Sequence, residues 1–92
     1  MLKNIDEIAD FLSASQSTAE IKKFLEALFT PAEIKSLAAR WEIVKRLDKG
    51  VTQRKIAADL HMSLCKITRG SKELKKENSI IKKALHFQST KS

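Results

Sequence analysis

The chain has little with which to do chemistry. It carries one cysteine, Cys65, and two histidines, His61 and His86. A lone cysteine cannot close an internal disulfide, which suits a reducing compartment. One cysteine and two histidines also fall short of a metal-ligand cluster. There are only two glycines, Gly50 and Gly70, and no glycine-rich phosphate loop. No paired carboxylates share an apolar face, and no serine, histidine and acid can be placed together. A nucleophilic Cys65 would need a base, and His61 lies across an expected turn. A solvent-facing thiol is the better reading, and no enzyme is expected. No apolar run approaches the roughly 18 residues of a membrane span. Asp6, Glu7 and Asp10 interrupt the apolar residues at the N-terminus, so no signal peptide is expected either. These absences point to a cytoplasmic protein with no membrane partner. Neither a strand pattern nor an internal repeat nor a low-complexity segment is visible.

What the chain does have is positive charge, unevenly placed. Its 92 residues carry a net charge of +7, with −2 in residues 1–44 and +9 in residues 45–92. Such asymmetry implies nucleic acid or another anionic partner for the second half. A basic membrane-surface helix fits less well, because no segment joins a wide apolar face to that charge. The length makes one domain, residues 1–92, with a core small enough that dimerisation is plausible on size alone.

The basic half contains TQRKIAADLHMSLCKITR, residues 52–69. Ile56, Ala57 and Leu60 give a first short helix its apolar stripe, and Leu64 and Ile67 give one to a second. Thr52 can cap the first helix and Ser63 the second. Two helices joined by a turn of about 3–4 residues make a helix-turn-helix, whose second helix enters the DNA major groove. The motif spans about residues 52–76, with a reading helix from Leu64 to Lys75 that presents Lys66, Arg69, Lys72 and Lys75 outward. The plainer alternative is an ordinary helical hairpin in a bundle core. His61 stands where the turn would favour glycine, and must therefore take a left-handed conformation that histidine tolerates. Arg54 and Lys66, Thr68 and Arg69 supply donors for bases and phosphates.

The remaining segments also read as helices. Residues 4–14 place Ile5, Ile8, Ala9, Phe11 and Leu12 on one face, with acidic residues in the first turn. SASQST, residues 13–18, is a polar break, and Thr18 can cap a helix with Ile21, Phe24, Leu25 and Leu28. The only proline follows Thr30, and Thr30 with Glu33 makes a capping box. A long helix over residues 31–49 carries Ile34, Leu37, Ala38, Trp41, Ile43, Val44 and Leu47, and Gly50 closes it. Trp41 in that stripe reads as a core or interface residue. Gly70 inside the reading helix costs about 1 kcal/mol against alanine, which suggests close approach by a ligand or the DNA backbone, unless it is a simple irregularity. Asn78 or Ser79 can cap a last helix with Ile80, Ile81, Ala84, Leu85 and Phe87, and the tail QSTKS is expected to fray.

Three stretches, LFTPAEIKSLAARWEIVKRLDKG (28–50), TQRKIAADL (52–60) and CKITRGSKELK (65–75), resemble the bacterial tryptophan repressor family. ITRGS at residues 67–71 is the most specific part. The resemblance implies an all-α, six-helix intertwined homodimer with helix-turn-helix heads. It implies a repressor of tryptophan synthesis and uptake genes, with L-tryptophan as corepressor and double-stranded operator DNA as partner, and no other cofactor. In helix-turn-helix dimers, this family among them, half-sites lie about one DNA turn apart. The resemblance places Arg40 and Arg69 on the two faces of the indole, an arrangement that suits planar guanidinium groups. Arg69 would also hold the carboxylate, and Gly70 would leave room for the ligand. Thr30 of a partner chain would add a hydroxyl, and backbone carbonyls near Ala27 and Phe29 of that chain would accept from the ammonium. Gln53, Arg54, Ser63, Leu64, Cys65, Lys66, Thr68, Lys72 and Lys75 would face DNA.

The sequence also departs from that family. Glu73 stands where the family has an ammonium-binding serine. Its carboxylate can bind the ammonium more strongly, or fill the pocket, or pair with Arg69. His61, Met62 and Ser63 replace a Gly-Ala-Gly turn, Leu64 and Cys65 replace Ile-Ala, and Lys66 replaces threonine. Two other readings stay open: a ligand-independent DNA-binding regulator of the same fold, and a helical module that binds protein or membrane through its basic half.

Overall fold

A computed structural model describes residues 1–91. Among them are six α-helices and no strand: α1 (Leu2–Ala14), α2 (Thr18–Leu28), α3 (Pro31–Asp48), α4 (Gln53–Leu60), α5 (Leu64–Lys75) and α6 (Ile80–Lys91). Packing groups the chain into two units that divide inside α3, one of residues 1–35 and one from Ser36 onward.

The N-terminal unit is a helical pair with no buried residue in either α1 or α2. Phe11 and Phe24 meet with ring centroids 4.8 Å apart and planes tilted by 43°. Such pairs add to simple area burial, but two short helices cannot enclose a core. Leu2, Ile5 and Leu28 stay exposed. α1 begins at Leu2, earlier than expected, so Asp6 and Glu7 fall beyond the first turn and do not complement the helix dipole there. The cap of α2 is Ser17, not Thr18: Glu20 N–H donates to Ser17 Oγ at 3.1 Å. The Glu20 carboxylate in turn accepts from Ser15 Oγ at 2.8 Å, which fixes the polar break. α3 starts on the expected capping box. Thr30 N–H donates to Glu33 Oε1 at 2.8 Å and Glu33 N–H donates to Thr30 Oγ1 at 3.2 Å.

The second unit holds the core. Ile43, Ile56 and Ile67, one from each of α3, α4 and α5, are fully buried against one another. Leu47, Val51, Ala57, Leu60 and Met62 pack around them. α3 closes at Gly50, which takes φ 88°, open to glycine and costly for residues with a Cβ. Thr52 caps α4 by accepting from Lys55 N–H at 3.2 Å. His61 ends α4 in the left-handed region, φ 54° and ψ 48°, as its place in the turn required. Met62 N–H then donates back to Ala57 O at 3.0 Å. Ser63 stands at the N-cap of α5 but its side chain makes no capping bond. The hydroxyl expected to hold the first turn of α5 is instead exposed.

Charge pairs tie α3 to α4. Glu42 accepts from Arg46 Nε at 2.7 Å and lies 3.1 Å from Lys45 Nζ. Arg46 also reaches Asp59 of α4 at 3.8 Å, and Lys55 joins Asp59 at 3.3 Å. Of the two candidate caps for α6, Ser79 is the one used: its hydroxyl accepts from Lys82 N–H at 3.1 Å. Asn78 takes φ 56° in the preceding turn. α6 continues through residues 88–91 of the tail expected to fray, whose last residue, Ser92, lies outside the described residues.

Candidate ligand cavity and nucleic-acid face

α5 divides into three faces, and each has a different neighbour. Ile67 and Ser71 are buried, and Leu74 is half-buried beside them. Lys66, Arg69, Gly70 and Glu73 line a cavity shared with α3 and the start of α6. Leu64, Cys65, Lys72 and Lys75 are exposed, and Thr68 is half-buried. These sets follow the spacing of three and four residues that keeps helical side chains on one face.

The cavity measures about 360 Å³, toward the lower end of the roughly 300–1,000 Å³ that small-ligand pockets span. α3 supplies its apolar wall through Leu37, Trp41, Ile43 and Val44, and α6 adds Ile80 and Ile81. In the sequence the α3 residues form one wide apolar face, with Trp41 a core or interface residue. In the structure the stripe serves a core at Ile43 and a cavity at Leu37 and Trp41. The polar groups are few: Arg40 from α3, with Lys66, Arg69 and Glu73 from α5. An apolar hollow with a small number of charged groups is the usual form of a small-molecule site. Its charged groups suit a flat apolar ligand carrying at least one anionic group, since guanidinium can both stack on a ring and fork to a carboxylate.

Gly70 is what lets α5 come this near to α3. A Cβ at that position would lie 3.2 Å from Val44 Cγ1, 3.3 Å from Ile43 Cγ2 and 3.4 Å from Leu47 Cδ1. The close approach suggested by a mid-helix glycine is thus made by a neighbouring helix. Glu73 does not pair with Arg69: its Oε1 accepts from Lys76 Nζ at 2.9 Å. Arg40, Arg69, Gly70 and Glu73, expected together, do surround one cavity. Ala27, Phe29 and Thr30, expected to act from a partner chain, belong to the N-terminal unit.

The free face of α5 adjoins the start of α4. Thr68 Oγ1 lies 3.0 Å from Gln53 Oε1 and 2.9 Å from Leu64 O, and donates to these acceptors. Gln53 and Thr68, each expected to face DNA, therefore hold each other across the two helices. Arg54, next to Gln53 in sequence, is exposed at the beginning of α4. Ser63, Leu64 and Cys65 are exposed at the N-terminus of α5. Lys72 and Lys75 lie in its last turn, where cations also complement the helix dipole. Lys66 is exposed but turned toward the cavity side. Among the described residues no cluster of histidine, cysteine and acid could hold a metal ion, and no helix is long and apolar enough to cross a membrane.

The family model described as Trp repressor protein matches residues 3–89. A Trp operon repressor homolog of Vibrio campbellii is 36% identical over 84 residues, which cover 90% of this chain and 84% of that protein. One from Vibrio vulnificus is 39% identical over 70 residues, covering 75% and 69%. One from Xylella fastidiosa is 35% identical over 68 residues, covering 73% and 74%. No solved structure gives a significant match.

Proposed function

The chain belongs to the Trp repressor family, and from that premise we propose that it is a tryptophan-dependent transcriptional repressor acting as a homodimer in the cytoplasm. Members of the family that it resembles bear the name Trp operon repressor homolog, a regulator and not an enzyme. The observation that carries the ligand-dependent reading is the cavity between α3 and α5, with the two guanidinium side chains of Arg40 and Arg69 on its wall.

α4 and α5 act as the helix-turn-helix, with α5 as the reading helix. Leu64, Cys65 and Thr68 of α5 and Gln53 and Arg54 of α4 face base edges and nearby phosphates. Ser63, Lys66, Lys72 and Lys75 add contacts to the backbone, where cations set affinity more than sequence. Tryptophan occupies the cavity behind α5. Its indole lies against the apolar wall between Arg40 and Arg69, and Arg69 takes its carboxylate. The ligand thus fills space on one side of the helix whose other side reads DNA. Binding favours the head orientations in which α5 fits the groove, and by linkage DNA tightens tryptophan binding equally.

Homodimerisation completes this arrangement. The N-terminal unit has no buried residue, and Leu2, Ile5, Ile80 and Phe87 are all more than 60% exposed in the single chain. That much exposed apolar surface favours a partner. A second copy brings Thr30 and the backbone around Ala27 and Phe29 to the cavity and pairs two reading helices for two half-sites.

The test is DNA binding by the purified protein to fragments upstream of tryptophan synthesis and transport genes. Tryptophan is expected to tighten binding by about 5–150-fold, the usual range of coupling between two sites. Tight binding that ignores tryptophan would instead support a ligand-independent regulator of the same fold, with Glu73 occupying the amine site. No retained fragment under either condition would favour a protein- or membrane-binding module.

A further inference from the structure

Gln53 is the first residue of α4, and Thr68 stands in the second turn of α5. Their side chains meet across the two helices, where both residues are half-buried. Thr68 Oγ1 lies 3.0 Å from Gln53 Oε1 and 2.9 Å from Leu64 O. A threonine hydroxyl carries one proton. Both of its neighbours are carbonyl oxygens, so they share that proton and none is left for a third acceptor. The angle between α4 and α5 does not depend on this contact, because Ile56 and Ile67 are packed at the centre. What the contact does determine is the direction of the Gln53 amide.

A glutamine amide has an accepting end and a donating end. In Gln53 the accepting oxygen is turned to Thr68, and the Nε2 end is directed away from it. A free glutamine on a DNA-reading face pairs with adenine through both ends, at N6 and N7. Gln53 holds the accepting half of that pairing against α5. Its remaining end is a donor, which suits groups that only accept: phosphate oxygens, or N7 and O6 of guanine. The side chain is also fixed before DNA arrives, so less rotamer freedom is lost on binding.

We propose that Thr68 is a positioning residue for Gln53, fixing the amide with its donor end outward so that Gln53 selects acceptor groups on DNA and does not make the two-point pairing with adenine. The inference rests on reading α4 and α5 as the DNA-binding face.

The test compares wild type with Gln53→Ala, Thr68→Val, Thr68→Ser and the double variant of the first two, on a DNA fragment that wild type retains. Thr68→Val keeps the shape of the side chain and removes the hydroxyl, and thermal melts establish that each protein is folded. Gln53→Ala and Thr68→Val are each expected to weaken binding by about five- to tenfold, the usual worth of one hydrogen bond. The double variant is expected to be no weaker than either alone. Thr68→Ser, which returns the hydroxyl, is expected to restore wild-type affinity. Selection from a randomised duplex pool supplies the second readout. A guanine preference lost in Gln53→Ala identifies a base edge as the acceptor, and a uniform loss across sequences identifies a phosphate. Both agree with an amide that only donates. In the guanine case Thr68→Val is expected to admit adenine at the same base pair. Losses that add in the double variant, no loss in Thr68→Val, or a wild-type preference for adenine that Gln53→Ala removes would overturn the role of Thr68 and leave the DNA-binding face intact. If wild type retained no DNA fragment, the DNA-binding reading and the inference would both fall.

Discussion

Gly70 of α5 faces Val44 of α3 so closely that a single added methyl would sit 3.2 Å from the valine Cγ1. Val44 is 7% exposed and neighbouring Ile43, also in reach, is 1% exposed. Both are β-branched and stiff at χ1, so neither can swing aside. Alanine at position 70 would gain about 1 kcal/mol of helix propensity and incur about 1–3 kcal/mol of overpacking. Gly70→Ala is expected to lower stability by up to about 2 kcal/mol and to push α5 outward at the cavity. Chemical denaturation together with tryptophan titration would check both effects.

Ile56 and Ile67 are fully buried and join α4 to α5. Either residue changed to alanine should cost about 2–5 kcal/mol. The loss should weaken DNA binding as well, because these two side chains form the centre of the packing that sets the angle between the helices. Urea unfolding curves beside DNA titrations at low temperature would show whether the two losses track each other.

The Thr30–Glu33 box gives the fold a pH dependence. The Glu33 carboxyl is held below its ordinary value of 4.5, first by the Thr30 backbone N–H and then by the Thr30 hydroxyl. Glu42 is lowered too, mainly by its bond to Arg46 and then by Lys45. A folded value below the unfolded one means that the contribution is complete above the ordinary glutamate range and is lost as pH falls through the lowered values. Melting temperature should therefore drop on acidification below about pH 4.5. Thr30→Ala should cost about 0.5–2 kcal/mol near neutral pH and flatten part of that acid dependence. Melts of both proteins from pH 7 to pH 3 would reveal it.

The exposed cations of α5 are expected to act through phosphates. Lys72→Ala is expected to weaken binding to all DNA sequences alike and to reduce the slope of log affinity against log salt by about 1. Arg54→Ala should cost about 1–3 kcal/mol on a preferred site and little on random DNA, if the guanidinium reads a guanine. Fluorescence anisotropy across a salt series separates the two behaviours.

Much of this was legible in the residues, and the misses have physical causes. The limits of α5, the left-handed turn at His61 and the Thr30–Glu33 box all rest on local chemistry that neighbouring residues determine. Cap choice between adjacent hydroxyls was not legible: Ser17 and Thr18 can both cap, and Ser63 has the right place without making the bond. The face of Lys66 depended on tertiary packing. Lys66, Arg69, Lys72 and Lys75 look alike as a basic series, yet the first two share a stripe with Gly70 and Glu73 that lines the cavity with α3 and α6. The apolar wall at Leu37 and Trp41 reads in sequence as core or interface, because periodicity cannot tell a filled interior from a hollow. The Glu73–Lys76 pair was likewise hidden, since Arg69 is an equally good partner by spacing.

The proposed regulation rests on tryptophan binding between α3 and α5 through Arg69. Titrating the purified chain and its Arg69→Ala variant with L-tryptophan in a calorimeter tests it most directly. Saturable heat at one ligand per chain is expected for wild type, with binding lost or weakened by about two orders of magnitude in the folded variant. Equal binding by both proteins, or no heat and no thermal stabilisation of wild type over a wide concentration range, would contradict it.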